Sequence, residues 1–213
     1  MKAFWQIWGL VGFVSIASAQ TAPIRQGSFE VGGFVGSSYG ISEGAVMGGG
    51  NVSYAATKIL LPYVEYSYFP SIQHTISGDI PGTSFAFNAT FPASASDFHV
   101  GVHVRFPIRE TRLAPYGVFG VGLMSIGSAT IRTVNYTDAA GPATFSNVSV
   151  PTGGSGVAVN FGGGLRYYIT PRYGMRVEVK GYKPFNGPQT NVGTATFNNA
   201  FLKAEVGFFL QFR

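Results

Sequence analysis

The chain alternates apolar and polar residues over short stretches along most of its length. In "DFHVGVHVRFPI", residues 97–108, every second residue from Phe98 to Ile108 is apolar, and polar or small residues stand between them. A period of two predicts a β-strand with one apolar face and one polar face. No helical period is evident after Ala19, so the pattern predicts an all-β protein.

Eight alternating segments, separated by clusters of Gly, Pro, Asn, Ser and Thr, predict eight strands. Most of these segments are about ten residues long, the length that a tilted strand needs to cross a bilayer. The predicted strands lie near Gln26–Gly36, Val46–Ala56, Leu60–Phe69, 97–108, Ala114–Gly127, Gly156–Ile169, Tyr173–Tyr182 and Ala200–Arg213.

The connections between the predicted strands alternate between short turns and long loops. The longest are Pro70–Ser96, Ser128–Ser155 and Lys183–Asn199. This asymmetry is typical of up-and-down barrels and of bacterial outer-membrane barrels, whose turns are short on the periplasmic side. An even number of strands places both chain ends at the side of the short turns. Alternation also persists inside the loops 70–96 and 128–155, where we expect hairpins that stand above the barrel.

Charged residues make up 11 % of the chain, against roughly 25 % in an average soluble domain. The net charge of +5 is not concentrated in a basic run, so the sequence gives no indication of nucleic-acid binding. Cysteine is absent, which excludes a disulfide framework and Cys-based metal or redox sites. The low charge content is the feature that separates this chain from ordinary soluble domains.

Nine charged residues of the predicted strands lie on the face opposite the bulky apolar residues. Nine charges are too few for the exterior of a soluble barrel, whereas five cations and four carboxylates nearly cancel in a narrow interior. We therefore predict a transmembrane barrel, with apolar residues toward lipid and with inward glycines that make room for long side chains. The predicted interior charge network is Glu30, Glu65, Arg105, Arg166, Arg176, Glu178, Lys180, Lys203 and Glu205.

Two features of the pattern are less regular. In the segment Ala114–Gly127, Phe119 and Leu123 suggest one outward face, but Val118 and Met124 are apolar on the other face. Aromatic residues near strand ends suggest girdles at the membrane interfaces. The residues in these girdles would be Tyr66, Tyr68, Phe69, Tyr167, Tyr168, Tyr173 and Tyr182.

The N-terminus is typical of a secretory signal. A lysine precedes an apolar run from about Ile7 to Ile16, and Ala17-Ser18-Ala19 follows as a cleavage site. The run is shorter than the ~20 apolar residues of a membrane-spanning helix. We therefore predict a signal peptide over residues 1–19 and one barrel domain over residues 20–213.

The sequence offers no convincing catalytic, cofactor or metal site. His99 and His103 share a strand face, but four residues of strand separate them by ~13 Å, too far to bind one metal together. An acyl hydrolase needs a Ser–His–acid set within reach of lipid, and both histidines are predicted to point inward. The glycine-rich stretch 44–51 lacks the lysine of a phosphate-binding loop. We expect no catalytic residue, no cofactor and no metal.

Four motifs resemble the OmpA-like group of eight-stranded outer-membrane barrels. They are "APYGVFGVGL", "NFGGGLRYYIT", "YGMRVEVKGY" and "KAEVGFFLQF", and the resemblance extends from Gln26 to Arg213. It implies an eight-stranded antiparallel up-and-down transmembrane β-barrel in the outer membrane of a Gram-negative-type cell.

We expect a monomeric, non-enzymatic protein with both termini in the periplasm. Its partners would be outer-membrane lipid and, through the loops 70–96 and 128–155, an extracellular surface partner, but not nucleic acid. Three alternatives stay open at this point: a lipid-modifying outer-membrane enzyme, a small-solute pore, and a soluble lipocalin-like barrel.

Overall fold

A computed structural model describes residues 24–40, 45–79, 86–127, 129–138, 141–150, 154–185 and 200–212. The predicted signal peptide lies outside these ranges, and within them no helix is long and apolar enough to span a membrane. The strands are β1 (Phe29–Tyr39), β2 (Ala45–Tyr54), β3 (Leu60–Asp79), β4 (Ala86–Arg105), β5 (Leu113–Ile126), β6 (Ala129–Asp138), β7 (Gly141–Val150), β8 (Gly154–Tyr168), β9 (Tyr173–Phe185) and β10 (Phe201–Phe212).

Eight of these strands form a closed antiparallel barrel. Around the barrel the order is β1, β10, β9, β8, β5, β4, β3, β2, and β1 pairs with both β10 and β2 to complete the circle. Closure pairs the backbone of every barrel strand on both sides, which is the condition that strands must meet to cross hydrocarbon. The predicted fold class, an eight-stranded antiparallel barrel, is confirmed.

Two hairpins rise from the long-loop end of the barrel. After an irregularity between Phe69 and Ile72, β3 continues to Asp79 and pairs there with the first residues of β4. The strands β6 and β7 form a separate two-stranded sheet. Hairpins were expected in both loops, but the prediction that the third strand ends at Phe69 is wrong.

The fourth barrel strand ends earlier than its apolar alternation suggests. Regular pairing stops at Arg105, and Phe106 donates a backbone hydrogen bond to Pro115 before the chain turns. Pro107 has no N–H to donate to a neighbouring strand, and Glu110 in the turn has a φ of 60°. The alternation up to Ile108 therefore extends beyond the strand itself.

The barrel has an apolar exterior and a polar interior. Val35, Phe161 and Phe208 point outward and are 61 %, 63 % and 62 % exposed. The side chains of the intervening positions point inward, and large charged residues such as Arg166 and Lys203 are fully buried. This polarity is the reverse of that in a soluble barrel, and it matches a lipid environment.

The ambiguous fifth segment follows the same rule, because part of the barrel interior is apolar. In β5, Phe119 and Leu123 point outward, whereas Val118 and Met124 are buried. Val118 packs with Tyr63 and Tyr116, and Met124 belongs to a larger apolar cluster. Apolar residues on both faces of β5 therefore reflect two environments, lipid outside and apolar packing inside.

An apolar cluster fills the loop end of the barrel, and we call it the mouth cluster. It consists of Phe34, Ala45, Met47, Phe69, Ile72, Ala93, Ala95, Met124, Ile126, Tyr182 and Phe201. A smaller cluster of Ala114, Tyr168 and Phe209 lies at the turn end. Phe69, Tyr168 and Tyr182 thus lie inside the barrel, and their assignment to the interfacial girdles is wrong.

Inward glycines allow neighbouring strands to approach closely. A Cβ at Gly101 would lie 2.2 Å from the carbonyl oxygen of Phe119 and 2.8 Å from Cε1 of Tyr63. A Cβ at Gly162 would lie 2.1 Å from the carbonyl oxygen of Val179. Both carbonyl oxygens belong to the backbone of a neighbouring strand, so a side chain at either glycine forces the strands apart.

Gly101→Ala should lower the free energy of unfolding by about 1–3 kcal/mol, because the added methyl group overpacks the interior. Gly117→Ala is the matched control on the neighbouring strand, where the nearest atom to a Cβ lies 3.9 Å away. The measurement is urea unfolding of the barrel in detergent micelles. Equal stability of the two variants would contradict the packing argument.

Candidate functional site

The barrel interior holds a balanced set of charged side chains. All nine predicted residues are buried there, and Asp97, which is 2 % exposed, joins them. Asp97 is the first residue of the predicted strand 97–108 but was left out of the predicted network; in the structure it lies well inside β4 and shares the inward face of His99. The interior therefore contains five cations and five carboxylates: Arg105, Arg166, Arg176, Lys180 and Lys203 with Glu30, Glu65, Asp97, Glu178 and Glu205.

Near the turn end, Glu30 binds two arginines from distant strands. Its carboxylate accepts hydrogen bonds from Arg105, at 3.1 Å, and from Arg166. Arg105 also donates to the hydroxyl group of Tyr168, and Arg166 lies 3.1 Å from Nδ1 of His103. One carboxylate from β1 thereby links β4 and β8 across the lumen.

In the middle of the barrel, three carboxylates surround one ammonium group. Nζ of Lys180 lies 2.5 Å from carboxylate oxygens of Glu65 and Glu178 and 3.7 Å from Glu205. Arg176 adds a second cation, at 2.9 Å from Glu205 and 3.4 Å from Glu65. We call these five residues the central cluster.

The three glutamates of the central cluster are the type of group that can bind a metal ion. Oxygens of Glu65, Glu178 and Glu205 lie within 4.8 Å of one another, and hard cations prefer oxygen ligands. The ammonium group of Lys180 contacts all three carboxylates. The cation that this arrangement holds is thus a side chain of the protein itself.

Above the central cluster, Lys203 connects β10 to the opposite wall. Its ammonium group lies 3.3 Å from both Asp97 and Glu65 and donates to the hydroxyl group of Tyr182 at 2.9 Å. Asp97 in turn lies 2.6 Å from Nδ1 of His99. These contacts lie next to the mouth cluster, to which Tyr182 also belongs.

The ion pairs run across the lumen because the sheet itself places like charges opposite each other. Glu205 pairs in register with Glu178, and Lys203 with Lys180, on adjacent strands. Like charges in such positions are unfavourable, and the ion pairs are instead formed diagonally between neighbouring strands or across the lumen. Glu65, on β3, supplies the counter-ion from the opposite side of the barrel.

The two strand histidines are packed into this interior and do not share a site. His103 stacks on the ring of Tyr63, with centroids 4.3 Å apart, and lies 4.9 Å from the ring of Tyr116. His99 is fully buried beside Asp97. Neither imidazole reaches the outer surface of the barrel, where a lipid substrate would lie.

Solved structures of outer-membrane barrels have a similar fold. Neisserial surface protein A is 11 % identical, with 88 % of this chain and 100 % of that chain covered and a TM-score of 0.55. A major outer membrane protein from Thermus thermophilus is 11 % identical, with 86 % and 99 % covered and a TM-score of 0.56. No model of a known protein family and no curated protein matches the sequence.

The class of fold follows from these comparisons together with the geometry. The chain has the fold of the eight-stranded outer-membrane β-barrels, with the inward charges and outward apolar side chains of that class. At this level of identity the similarity concerns the fold. Membership in the OmpA-like group in particular stays a prediction.

Replacing Lys180 with methionine should lower the free energy of unfolding by about 3–5 kcal/mol, because it leaves buried carboxylates without their shared cation. Adding Glu178→Gln should restore part of the loss. Lys58→Gln, at an exposed turn, is the control and should change the stability by less than about 0.5 kcal/mol. The measurement is urea unfolding in a zwitterionic detergent, and equal effects of Lys180→Met and Lys58→Gln would contradict the role of the central cluster.

Proposed function

We propose that the protein is a monomeric integral protein of an outer membrane, in which a sealed barrel serves as a structural anchor for exposed hairpins. The observation that carries the proposal is the combination of an apolar exterior with a lumen filled by paired charges and the mouth cluster. The start of β1 and the end of β10 lie with the short turns, on the periplasmic side in this proposal, and the hairpins extend outside the cell.

The filled lumen favours a structural barrel over a small-solute pore. Ion pairs cross the lumen near the turn end, in the central cluster and at Lys203, and each joins strands that are not neighbours. Above them, side chains such as Phe69 and Phe201 pack together at the mouth. A steady water path would require these contacts to separate.

In planar-bilayer recordings the protein should therefore give no stable conductance steps, because every level of the lumen is occupied by packed side chains. An established porin, reconstituted in the same lipid, is the positive control for insertion and detection. Reproducible channels of constant conductance would contradict the sealed-barrel proposal and favour the pore.

The positions of the histidines support a role without lipid chemistry. A hydrolase acting on membrane lipid needs its nucleophile and base on the lipid-accessible surface. His99 and His103 lie in the lumen with no exposed surface, and their ring contacts are with interior residues. We therefore propose that the protein is not an enzyme.

The hairpins are suited to interaction with another molecule through their strand edges. Beyond the barrel, residues 72–79 of β3 pair with residues 86–93 of β4, whereas the pairing of β3 with β2 is confined to Tyr63–Tyr68. This extension is roughly 25 Å long. The outer edge of β3 is thus without a strand partner among the described residues, and such an edge can bind an extended segment of another protein.

A variant in which residues 73–91 are replaced by a short glycine turn should keep the barrel, because the register of the barrel strands is unchanged. It should lose surface binding, because the hairpin is absent. The measurement is attachment of expressing cells to immobilised extracellular-matrix proteins, with heat-modifiable gel migration as the check on folding. Replacing residues 129–150 in the same way is the companion variant. Unchanged attachment in both variants would contradict adhesion through the hairpins.

A further inference from the structure

The positive charge of the protein is concentrated at the turn end of the barrel. The interior is neutral, with five cations and five carboxylates. The turns and the segment before β1 contain five cations and one carboxylate: Arg25, Lys58, Arg109, Arg112 and Arg172 with Glu110.

The segments at the loop end, which include the last residues of β3 and β9 and the hairpin of β6 and β7, have a different balance. In the sequence they contain two cations, Arg132 and Lys183, and three acidic residues, Glu43, Asp79 and Asp138. The interior and the loop end together therefore contribute no positive charge, and the two ends of the barrel differ strongly in charge. Such a difference in charge determines which charged molecules each end of the barrel attracts.

The cations at the turn end surround the barrel instead of forming a one-sided patch. Arg25 precedes β1, which neighbours β10, and Lys58 lies between β2 and β3. Arg109 lies between β4 and β5, and Arg172 lies between β8 and β9. The eight barrel strands thus form four adjacent pairs, and each pair has a cation at its turn end. We call Arg25, Lys58, Arg109 and Arg172 the basic ring.

The basic ring is exposed and is not neutralised by the part of the protein that the structure describes. All four side chains are exposed. Among the described residues, no ion pair joins any of them to a carboxylate, whereas the interior cations are all paired. Their charges are available to an external anion.

Exposed apolar side chains accompany the basic ring. Ile59 follows Lys58 directly and is 50 % exposed, and Phe106 and Ile108 precede Arg109 and are 59 % and 46 % exposed. Apolar side chains next to the ends of membrane strands can enter the hydrocarbon while a neighbouring Lys or Arg reaches the head groups. This combination fits the boundary between lipid tails and phosphates.

We propose that the basic ring binds the phosphate groups of anionic glycerophospholipids in the leaflet at the turn end. The proposal rests on the membrane placement in the proposed function, and it adds a lipid class and a leaflet. An anionic leaflet surrounds the barrel on every side, as the ring does. An acidic protein partner would contact one side and would not need the exposed apolar residues between the cations.

The test uses a single tryptophan to report the lipid at each end. Trp5 and Trp8 are the two tryptophans of the chain; replacing both with phenylalanine leaves an introduced tryptophan as the sole reporter. Phe106→Trp places it at the basic ring, and Tyr68→Trp places it on the exterior near the mouth cluster. The full-length protein is refolded into vesicles of phosphatidylcholine with brominated phosphatidylglycerol or with brominated phosphatidylcholine, and fluorescence quenching gives the relative association of the two lipids.

The tryptophan at position 106 should show about fivefold tighter association with brominated phosphatidylglycerol than with brominated phosphatidylcholine. The tryptophan at position 68 should show no preference. The double variant Lys58→Gln/Arg109→Gln should abolish the preference at position 106, whereas Arg132→Gln/Lys183→Gln, which removes the same charge at the loop end, should leave it unchanged. Salt at about 1 M should weaken it, since screening then acts within ~3 Å.

Equal quenching by the two lipids at position 106, or a preference that survives Lys58→Gln/Arg109→Gln, would overturn the proposal. Heat-modifiable gel migration of the same vesicle samples shows whether the barrel has folded. It thereby distinguishes a failure of lipid binding by the basic ring from a failure of the proposed function. A folded barrel without lipid preference refutes the lipid-binding ring alone and leaves an acidic protein or polymer as the partner. Failure to form a barrel in either lipid would contradict the proposed function, and the inference with it.

Discussion

Pairing of charges across the lumen is the interaction on which this barrel depends. Along the sheet, Glu205 faces Glu178 and Lys203 faces Lys180, so an open sheet would place like charges side by side in a poorly hydrated space. Closure brings Glu65 from β3 to Lys180 and Lys203 on the far wall. Because the buried charges need these partners, a closed barrel and a neutral interior require each other.

The same constraint shapes the exterior and the ends of the molecule. With the charges of the barrel walls paired inside, the outward positions can be mostly apolar, as Val35 and Phe208 are. The mouth cluster then separates the ion pairs from the loop end. The cations of the basic ring, which have no carboxylate partner within the described residues, lie at the turn end, where the barrel meets the membrane boundary.

Much of this architecture could be predicted from alternation alone. The alternation of positions along each strand assigned Arg176 and Glu205 to the interior, and the number of alternating segments predicted eight barrel strands. This alternation does not predict which charges pair. The partner of Lys180 depends on the diameter of the barrel and on the stagger of its strands, and neither of these produces a local sequence pattern. For the same reason the mouth cluster was not predicted: inward apolar residues such as Phe69 look like girdle aromatics until the opposite wall is known.

The most direct test of the inverted polarity is a spin-label scan along β10. The chain has no cysteine, so single cysteines from Leu202 to Leu210 can be labelled one at a time in a lipid bilayer. The inverted polarity predicts high oxygen accessibility at Leu202, Ala204, Val206, Phe208 and Leu210, alternating with immobile, inaccessible labels at Lys203, Glu205, Gly207 and Phe209. Immobile labels at Val206 and Phe208, with water-exposed labels at Lys203 and Glu205, would contradict it.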